Sequence, residues 1–522
     1  MKNQPMSVQT STASDDPLPV QPIAWWLLLI PAIAQLVLHI FTNDGFGIFR
    51  DEYYYLACAG RPACGYVDHP PLSIWFLSVW KALFGDSVHS IRVLPALCGS
   101  GLIILTGATA AQLGGRRWAQ LFAGMAAAVG VVELVIFGMY SMNCYDFLFW
   151  LGGYYLLIRI ARTGDGRWWL WMGMILGLGL LNKIGLLVFG LALLIGLVAT
   201  KHRRHFADRR LYLAGVIAVM LVLPYVVWNA ANNWATLEFI ENAKVGKIAS
   251  FSPVGFLSEN LLEANPVTVP LWAGGLAWLA LARCARRYRV IAITFAATFV
   301  ILIIQKSKPY YFAASFPVLL AAGGVAWERW TSGSHWRWAR WVVMAILLAG
   351  GAALAPIGVP LLSPERTIAY GQRMGIIPAA QEISHTSALP QYFSDRLGWE
   401  NLAHVVSEVY QGLPASEQQG CVVFGENYGH AGSLEYWSRR YKLPPVYSTH
   451  NNYWLWGPPP GVGQVVIVIS GSRESLEQIC DEVTEAAVAE TPYALESHVR
   501  IWICRGLKRS IEEIWKVSKS FG

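Results

Sequence analysis

The chain has little charge: Asp, Glu, Lys and Arg make up 14% of its 522 residues, while 55% are hydrophobic. A soluble protein of this length would hold two or three ordinary domains with about a quarter of its residues charged. That class is excluded, and a membrane protein is indicated. Patterned cysteine is also lacking, because the eight Cys form no CxxC and no Cys/His metal spacing. This removes zinc-ribbon and thioredoxin-like readings. No basic n-region precedes the first apolar run and no small-residue cleavage site follows it. The expectation is a disordered cytoplasmic tail over residues 1–20 followed by an uncleaved span. The net charge of +7 lies in short clusters between apolar runs rather than on one face. Cytoplasmic loops have that habit, and a nucleic-acid partner is not expected.

What the chain does have is apolar length. A membrane-spanning helix needs roughly 20 mostly apolar residues. Runs suited to one occur at 23–41, 88–113, 118–140, 145–160, 168–181, 184–199, 211–228, 267–281, 290–304, 311–327 and 341–362. They predict a polytopic α-helical domain over residues 21–362 with about 11–13 helices in a lipid bilayer. If the N-terminus is inside, the clusters Arg116-Arg117, Arg159 with Arg162 and Arg167, the basic run 201–210, Arg283 to Arg289, and Arg329 with Arg337 and Arg340 all fall on the cytoplasmic side. Cytoplasmic loops gather Lys and Arg in this way. The opposite, extracytoplasmic side then receives loop 42–87, the 140–145 turn, Lys183, the 305–310 turn and residues 363–522.

That last segment changes character. Cys421-Val-Val-Phe, Gln464-Val-Val-Ile-Val-Ile-Ser and Val499-Arg-Ile-Trp-Ile-Cys read as buried strands, and residues 473–489 have helical spacing with Leu476, Ile479, Cys480 and Val483 on one face. The expectation is a small periplasmic α/β domain. In an oxidising compartment a disulfide is open to Cys58 with Cys64, and to a pair among Cys421, Cys480 and Cys504.

Acids on the outer side of such a protein call for a reason, since a carboxylate near bilayer depth is costly unless paired, hydrated or coordinated. Loop 42–87 holds Asp51, Glu52 and Asp68, the last followed by His69-Pro70-Pro71, whose prolines fix the backbone. Asp146, in Ser141-Met-Asn-Cys-Tyr-Asp, sits at the outer mouth of a later span. Lys306-Ser-Lys-Pro-Tyr-Tyr sets two cations beside Tyr310 and Tyr311 where a span meets the outer surface, a setting suited to an anionic phosphate.

Arg50-Asp-Glu-Tyr-Tyr-Tyr, Asp68-His-Pro-Pro-Leu, the acid at the span mouth, the Lys-Pro-Tyr-Tyr turn and Asn427-Tyr-Gly-His-Ala-Gly-Ser-Leu-Glu-Tyr together resemble the bacterial GT-C glycosyltransferases. The nearest groups are family 39 and the lipid A aminoarabinose transferases, within the dolichyl-phosphate-mannose-protein mannosyltransferase superfamily. The resemblance implies a GT-C fold in the bacterial inner membrane, a polyprenyl-phosphate-linked sugar as donor, and an envelope acceptor such as lipid A, cell-wall glycan or protein. It also implies that Asp51 is the catalytic base and that Asp68 and Asp146 line the site. The aminoarabinose transferases tend to have Glu-Lys-Pro where this chain has Asp68-His69-Pro70.

The chemistry of the residues agrees. A sugar phosphate ester already has a good leaving group, so a cation to neutralise the departing phosphate suffices on that side. Lys308 is assigned to it, with Lys306, Lys183 and His69 as helpers and Tyr310 and Tyr311 beside them. An acceptor hydroxyl must lose its proton as it attacks, which a carboxylate within reach accomplishes. One base and one displacement imply inversion at the anomeric carbon, unlike the two-carboxylate cycle of retaining glycosidases. Glu52 is carried as a further catalytic candidate, Tyr54, Tyr55, Tyr66 and Tyr428 as acceptor or sugar contacts, and Asp51 with Asp68 as ligands for a divalent cation, Mg or Mn. The alternatives are a transporter or flippase of lipid-linked sugars, which should show related halves, and a non-catalytic relative.

Overall fold

The computed structural model describes residues 18–246, 251–376, 387–461 and 465–522. Most of the tail expected over residues 1–20, and Gln464 at the start of the second strand, lie outside them. Every one of the eleven apolar runs forms helix. Among the described residues, five helices are long and apolar enough to cross a membrane: Trp25–Thr42, Val88–Gln112, Arg209–Ala231, Arg283–Ile304 and Ser334–Gly358. Helix Met142–Thr163 is as long but carries more polar residues, and the other runs are shorter or broken. Helix Arg117–Ala128 stops before Gly130 and resumes as Val131–Ile136, and Leu186–Val198 turns by 107° into a 3₁₀ segment, Lys201–Ala207. The runs on either side of Lys183 are two helices, Trp168–Asn182 and Leu186–Val198, with Lys183 extended at the break.

Two helices illustrate how the bundle closes. A Cβ on Gly275 would lie 2.2 Å from the Leu319 carbonyl oxygen, and one on Gly323 would lie 2.0 Å from that of Leu271. Helices Val269–Leu281 and Phe316–Trp330 therefore touch backbone to backbone, the small-residue packing that apolar solvent favours.

The stretch read as loop 42–87 carries two helices, Arg50–Ala59 and Leu72–Phe84. The first is central. At its start the Glu52 side chain accepts from the Phe49 amide at 2.9 Å, and residues Glu52 through Ala59 are all buried.

The C-terminal part contains a five-stranded mixed sheet in the order β2-β1-β3-β5-β4, with β1 Val422–Gly425, β2 Val446–Tyr447, β3 Val465–Ile469, β4 Cys480–Glu490 and β5 His498–Leu507. The three expected strands are present. The helix expected over 473–489 is not: only Arg473–Glu477 is helical, and the rest is β4, paired antiparallel with β5. A disulfide joins Cys480 to Cys504, whereas Cys58, Cys64 and Cys421 are free.

The sheet domain is seated on the first loop through helix Tyr428–Tyr441. A Cβ on Gly429 would meet Arg50 Cγ at 2.6 Å, and one on Gly432 would meet the Tyr53 backbone carbonyl carbon at 3.1 Å and the Tyr54 nitrogen at 3.2 Å. The Gly-x-x-Gly spacing thus lets this helix lie directly on Arg50–Ala59. The Trp437 indole donates to the Tyr53 hydroxyl (3.0 Å), and Arg61 pairs with Glu435 (2.8 Å), fastening the same interface.

Candidate active site

Asp51 lies in the first turn of helix Arg50–Ala59, where the positive end of the helix favours a carboxylate. It is the most open of the candidate acids, with its side chain 38% exposed. The Tyr428 hydroxyl donates to its Oδ1 at 2.8 Å, and the Arg50 guanidinium stands 4.0 Å from the same oxygen. Tyr428 is aimed by its own helix start: the Asn427 side chain caps the helix by accepting from the Gly429 and His430 amides, and the Arg50 guanidinium lies 5.6 Å over the Tyr428 ring. Arg50 is in turn paired with the buried Asp395 at 3.4 Å. The tail motif therefore reaches the loop motif at its acid.

Glu52, one residue on, has a different setting. It is fully buried, bonded to Arg92 through both oxygens (2.9 and 2.6 Å), and it accepts from the Tyr140 amide (2.7 Å) and the Phe49 amide (2.9 Å). Burial opposes its charge, but the Arg92 guanidinium outweighs burial and holds the carboxyl below its usual range. Arg92 also bonds the Asn43 and Gly47 carbonyl oxygens. Glu52 thereby joins three chain segments, and all its bonding capacity is spent on them.

Asp68 accepts from the Tyr54 hydroxyl at 3.0 Å and lies 3.8 Å from His69 Nε2. The His69 ring is 1% exposed, stacked on Tyr55 with centroids 4.8 Å apart and tilted against Tyr66 at 4.9 Å, while its Nδ1 meets the Pro70 carbonyl at 3.1 Å. Tyr66 is also fully buried; its hydroxyl bonds the Cys58 and Arg61 carbonyl oxygens and the Ala63 amide. The structure thus packs Tyr66, expected to touch sugar, into the loop, and encloses His69, expected to help with phosphate, between rings.

The third acid comes from another part of the bundle. Asp146, in the first turns of helix Met142–Thr163, lies 3.4 Å from the Lys183 ammonium, which also donates to Asn143 Oδ1 at 2.7 Å. Lys183 stands 5.3 Å over the Tyr310 ring and 4.4 Å over that of Tyr311. The Tyr311 amide is bonded back to the Lys308 carbonyl (3.2 Å), so Lys308 shares this turn, whereas the Lys306 side chain is exposed on a residue with φ +53°. Lys183 thus lies over both tyrosine rings. Tyr55 links the two halves, because its ring stacks on His69 while its hydroxyl accepts from the Met142 amide at 3.4 Å. Two polar residues the sequence reading passed over belong here: Asn143, whose signal was its place three residues before Asp146, and Asn452, which has no local signal.

The arrangement can supply a carboxylate base beside a tyrosine hydroxyl and, linked to it through Tyr54, Tyr55 and the Met142 amide, an ammonium among phenols. Among the described residues no group of three or more His, Cys, Asp and Glu side chains is placed to hold a metal ion. An oxygen of Asp51 and one of Asp68 are each already engaged by a tyrosine hydroxyl.

Comparison with known proteins follows this geometry. The family model described as dolichyl-phosphate-mannose-protein mannosyltransferase matches residues 68–228. The undecaprenyl phosphate-alpha-4-amino-4-deoxy-L-arabinose arabinosyl transferase 1 of Pseudomonas fluorescens is 24% identical over 174 residues, which is 31% of this chain. The match spans only 30% of that relative's length. The crystal structure of ArnT from Cupriavidus metallidurans in the apo state superposes with TM-score 0.61 at 17% identity, covering 92% of this chain and 98% of that one. The structure of ArnT from the same organism bound to undecaprenyl phosphate gives 0.58 at 16% identity over the same shares. The resemblance to GT-C glycosyltransferases is borne out, and the chain has the fold of these membrane proteins.

Proposed function

We propose that the protein is an inverting glycosyltransferase that moves a sugar from a polyprenyl-phosphate carrier to a hydroxyl or phosphate acceptor of the cell envelope, working at the outer face of the bacterial inner membrane. The observation that carries this reading is a run of contacts: Tyr428 of the C-terminal domain bonds Asp51 and its ring lies 4.9 Å from that of Tyr54, Tyr54 bonds Asp68, and Tyr55, stacked on His69, accepts from the Met142 amide at the start of the helix that carries Asp146 and its partner Lys183. The similarity to an undecaprenyl phosphate-linked arabinosyl transferase and the undecaprenyl phosphate bound in the Cupriavidus ArnT structure support a lipid-phosphate donor.

In this reading Asp51 takes the proton of the acceptor hydroxyl while that oxygen bonds to the anomeric carbon. The bond from that carbon to the carrier phosphate breaks, and its electron pair leaves on the phosphate oxygen. Lys183 neutralises the growing charge; Asn143 and Asp146 engage two of its three N–H groups and leave one for a phosphate oxygen. Tyr310 and Tyr311 flank the ammonium, and Lys308 lies on the same turn. Asp68 orients the acceptor.

For the divalent cation expected from Asp51 and Asp68, no described group of three or more His, Cys, Asp and Glu side chains surrounds these acids, and no step above runs through an ion. Chelation by EDTA is expected to leave the transfer rate unchanged.

The deciding experiment is Asp51→Asn in the full chain, assayed for release of undecaprenyl phosphate from a lipid-linked sugar in the presence of envelope acceptor. Loss of a positioned base should lower turnover by about 10²–10⁴-fold with membrane insertion intact. Wild-type turnover in this variant would remove Asp51 as base.

A further inference from the structure

Two neighbouring residues at the end of helix Trp168–Asn182 grip the same turn of helix Met142–Thr163. Asn182, fully buried, donates through Nδ2 to the Met142 carbonyl at 2.8 Å. Lys183, the next residue, reaches the side chains of that turn: its ammonium donates to Asn143 Oδ1 at 2.7 Å and lies 3.4 Å from Asp146. Among the described residues, no other hydrogen bond joins residues 179–185 to residues 141–146.

Asn182 has one orientation open to it. Turned the other way, its oxygen would face the Met142 carbonyl oxygen, so the amide nitrogen points there and Oδ1 is left buried with no hydrogen-bond partner. A buried acceptor without a partner is destabilising. An apolar side chain would avoid that penalty, so what Asn182 contributes is its single donated bond.

The same turn is held from its other side. The Met142 amide donates to the Tyr55 hydroxyl at 3.4 Å. The Ser141 hydroxyl accepts from the Asn143 amide (3.2 Å) and from its side-chain Nδ2 (3.1 Å), which leaves Asn143 Oδ1 for Lys183. Lys183 itself has a flexible four-carbon stem. Where its ammonium ends depends on how far its backbone stands from this turn, and the Asn182 bond fixes that separation. We propose that Asn182 is a positioning residue for the donor phosphate, acting through Lys183: by clasping the Met142 carbonyl it keeps the ammonium on Asn143 and Asp146, with the third N–H left for the phosphate. The inference rests on the reading of Lys183 as the cation that meets the carrier phosphate.

The test is equilibrium binding of radiolabelled undecaprenyl phosphate to the purified full chain in detergent, beside undecaprenol, the same tail without phosphate. Lys183→Met should weaken undecaprenyl phosphate binding about 10–100-fold. Asn182→Leu, close in size but without a donor, should weaken it about tenfold, the scale of one charged hydrogen bond lost or misdirected. Undecaprenol affinity should be the same in wild type and both variants. Asn182→Leu added to Lys183→Met should weaken nothing further, because the first residue works through the second. Unchanged undecaprenyl phosphate affinity in Asn182→Leu, a matching loss for undecaprenol, or a further loss in the double variant overturns the proposal. If Asn182→Leu does not fold, Asn182→Ala removes the same donor without crowding the site. It should show the same weakening, and wild-type affinity in it overturns the proposal. Equal affinity of the wild-type chain for the two lipids also overturns it, by removing Lys183 as a phosphate ligand. A wild-type chain that prefers undecaprenyl phosphate yet transfers no sugar counts against the proposed function alone.

Discussion

Asp51 and Glu52 are neighbours in sequence with opposite work. Asp51 faces outward with a tyrosine hydroxyl on one oxygen, while Glu52 is enclosed and bonded to Arg92, Tyr140 and Phe49. Replacing Glu52 by Gln leaves the Arg92 guanidinium, 1% exposed, without its counter-charge, and breaking a buried pair from one side costs about 3–5 kcal/mol. Thermal unfolding of Glu52→Gln in detergent should show that loss, whereas Asp51→Asn should unfold like wild type. Lys183→Met tests the leaving-group side. It removes the cation beside Asp146 and should lower turnover about 10²–10³-fold at saturating donor, read by undecaprenyl phosphate release. The sequence made Asp51, Asp68, Asp146 and Lys183 visible because charge on the outer side of a membrane chain is anomalous by itself. It did not separate Asp51 from Glu52, since the partner that decides Glu52's role lies forty residues away on Arg92. The two-lysine turn at Lys306 and Lys308 was conspicuous locally, while the setting of Lys183 beside Asn143, Asp146, Tyr310 and Tyr311 appears only when three helix ends meet.

Among the elements, helix Tyr428–Tyr441 carries the most consequence for its length. Gly432 lets it rest on the Tyr53 and Tyr54 backbone, contacts with no flexible side chain to yield. Gly432→Ala should push the helix away from Arg50–Ala59, carrying Tyr428 off Asp51. Turnover should fall while the sheet domain's own circular dichroism is retained. The start of the same helix rests on an ionic pair. His430 Nε2 lies 2.5 Å from Glu496, whose other oxygen accepts from Asn427, the capping residue. Burial opposes the Glu496 charge, but His430 beside it prevails and brings the carboxyl down from 4.5 to about 2. A carboxyl depressed in the folded state stabilises fully above its unfolded value. That contribution declines as pH falls below about 4.5 and is gone near the folded value of about 2. Glu496→Gln should therefore flatten the acid side of the stability profile through this window, read by thermal unfolding as a function of pH. Elements of this kind were only partly legible. Residues 473–489 present Leu476, Ile479, Cys480 and Val483 at helical spacing, yet helix stops at Glu477 and from Cys480 pairing with β5 takes the chain into the sheet. Strand preference is set by neighbours on the sheet more than by local pattern.

At the scale of the whole molecule, the proposal that the chemistry faces outward stands on charge distribution and on a covalent bond. Five basic clusters fall on one side of the bundle if the N-terminus is inside, and the opposite side then holds the Cys480–Cys504 disulfide, a bond suited to an oxidising compartment. The two arguments are independent, because no cysteine takes part in the charge count. The helices were legible because apolar length is a direct demand of the bilayer, while the seating of the sheet domain on the first loop was not, since it depends on Gly429, Gly432 and Trp437 meeting residues nearly four hundred positions earlier. An alkaline phosphatase fused after Gly522 should be active and a fluorescent protein at the same position dark. The opposite readout would leave the contacts of Asp51 with Tyr428, of Asp68 with Tyr54 and of Asp146 with Lys183 untouched. It would nevertheless place them, and the disulfide, on the cytoplasmic side, and the proposed envelope acceptor would have no access to Asp51.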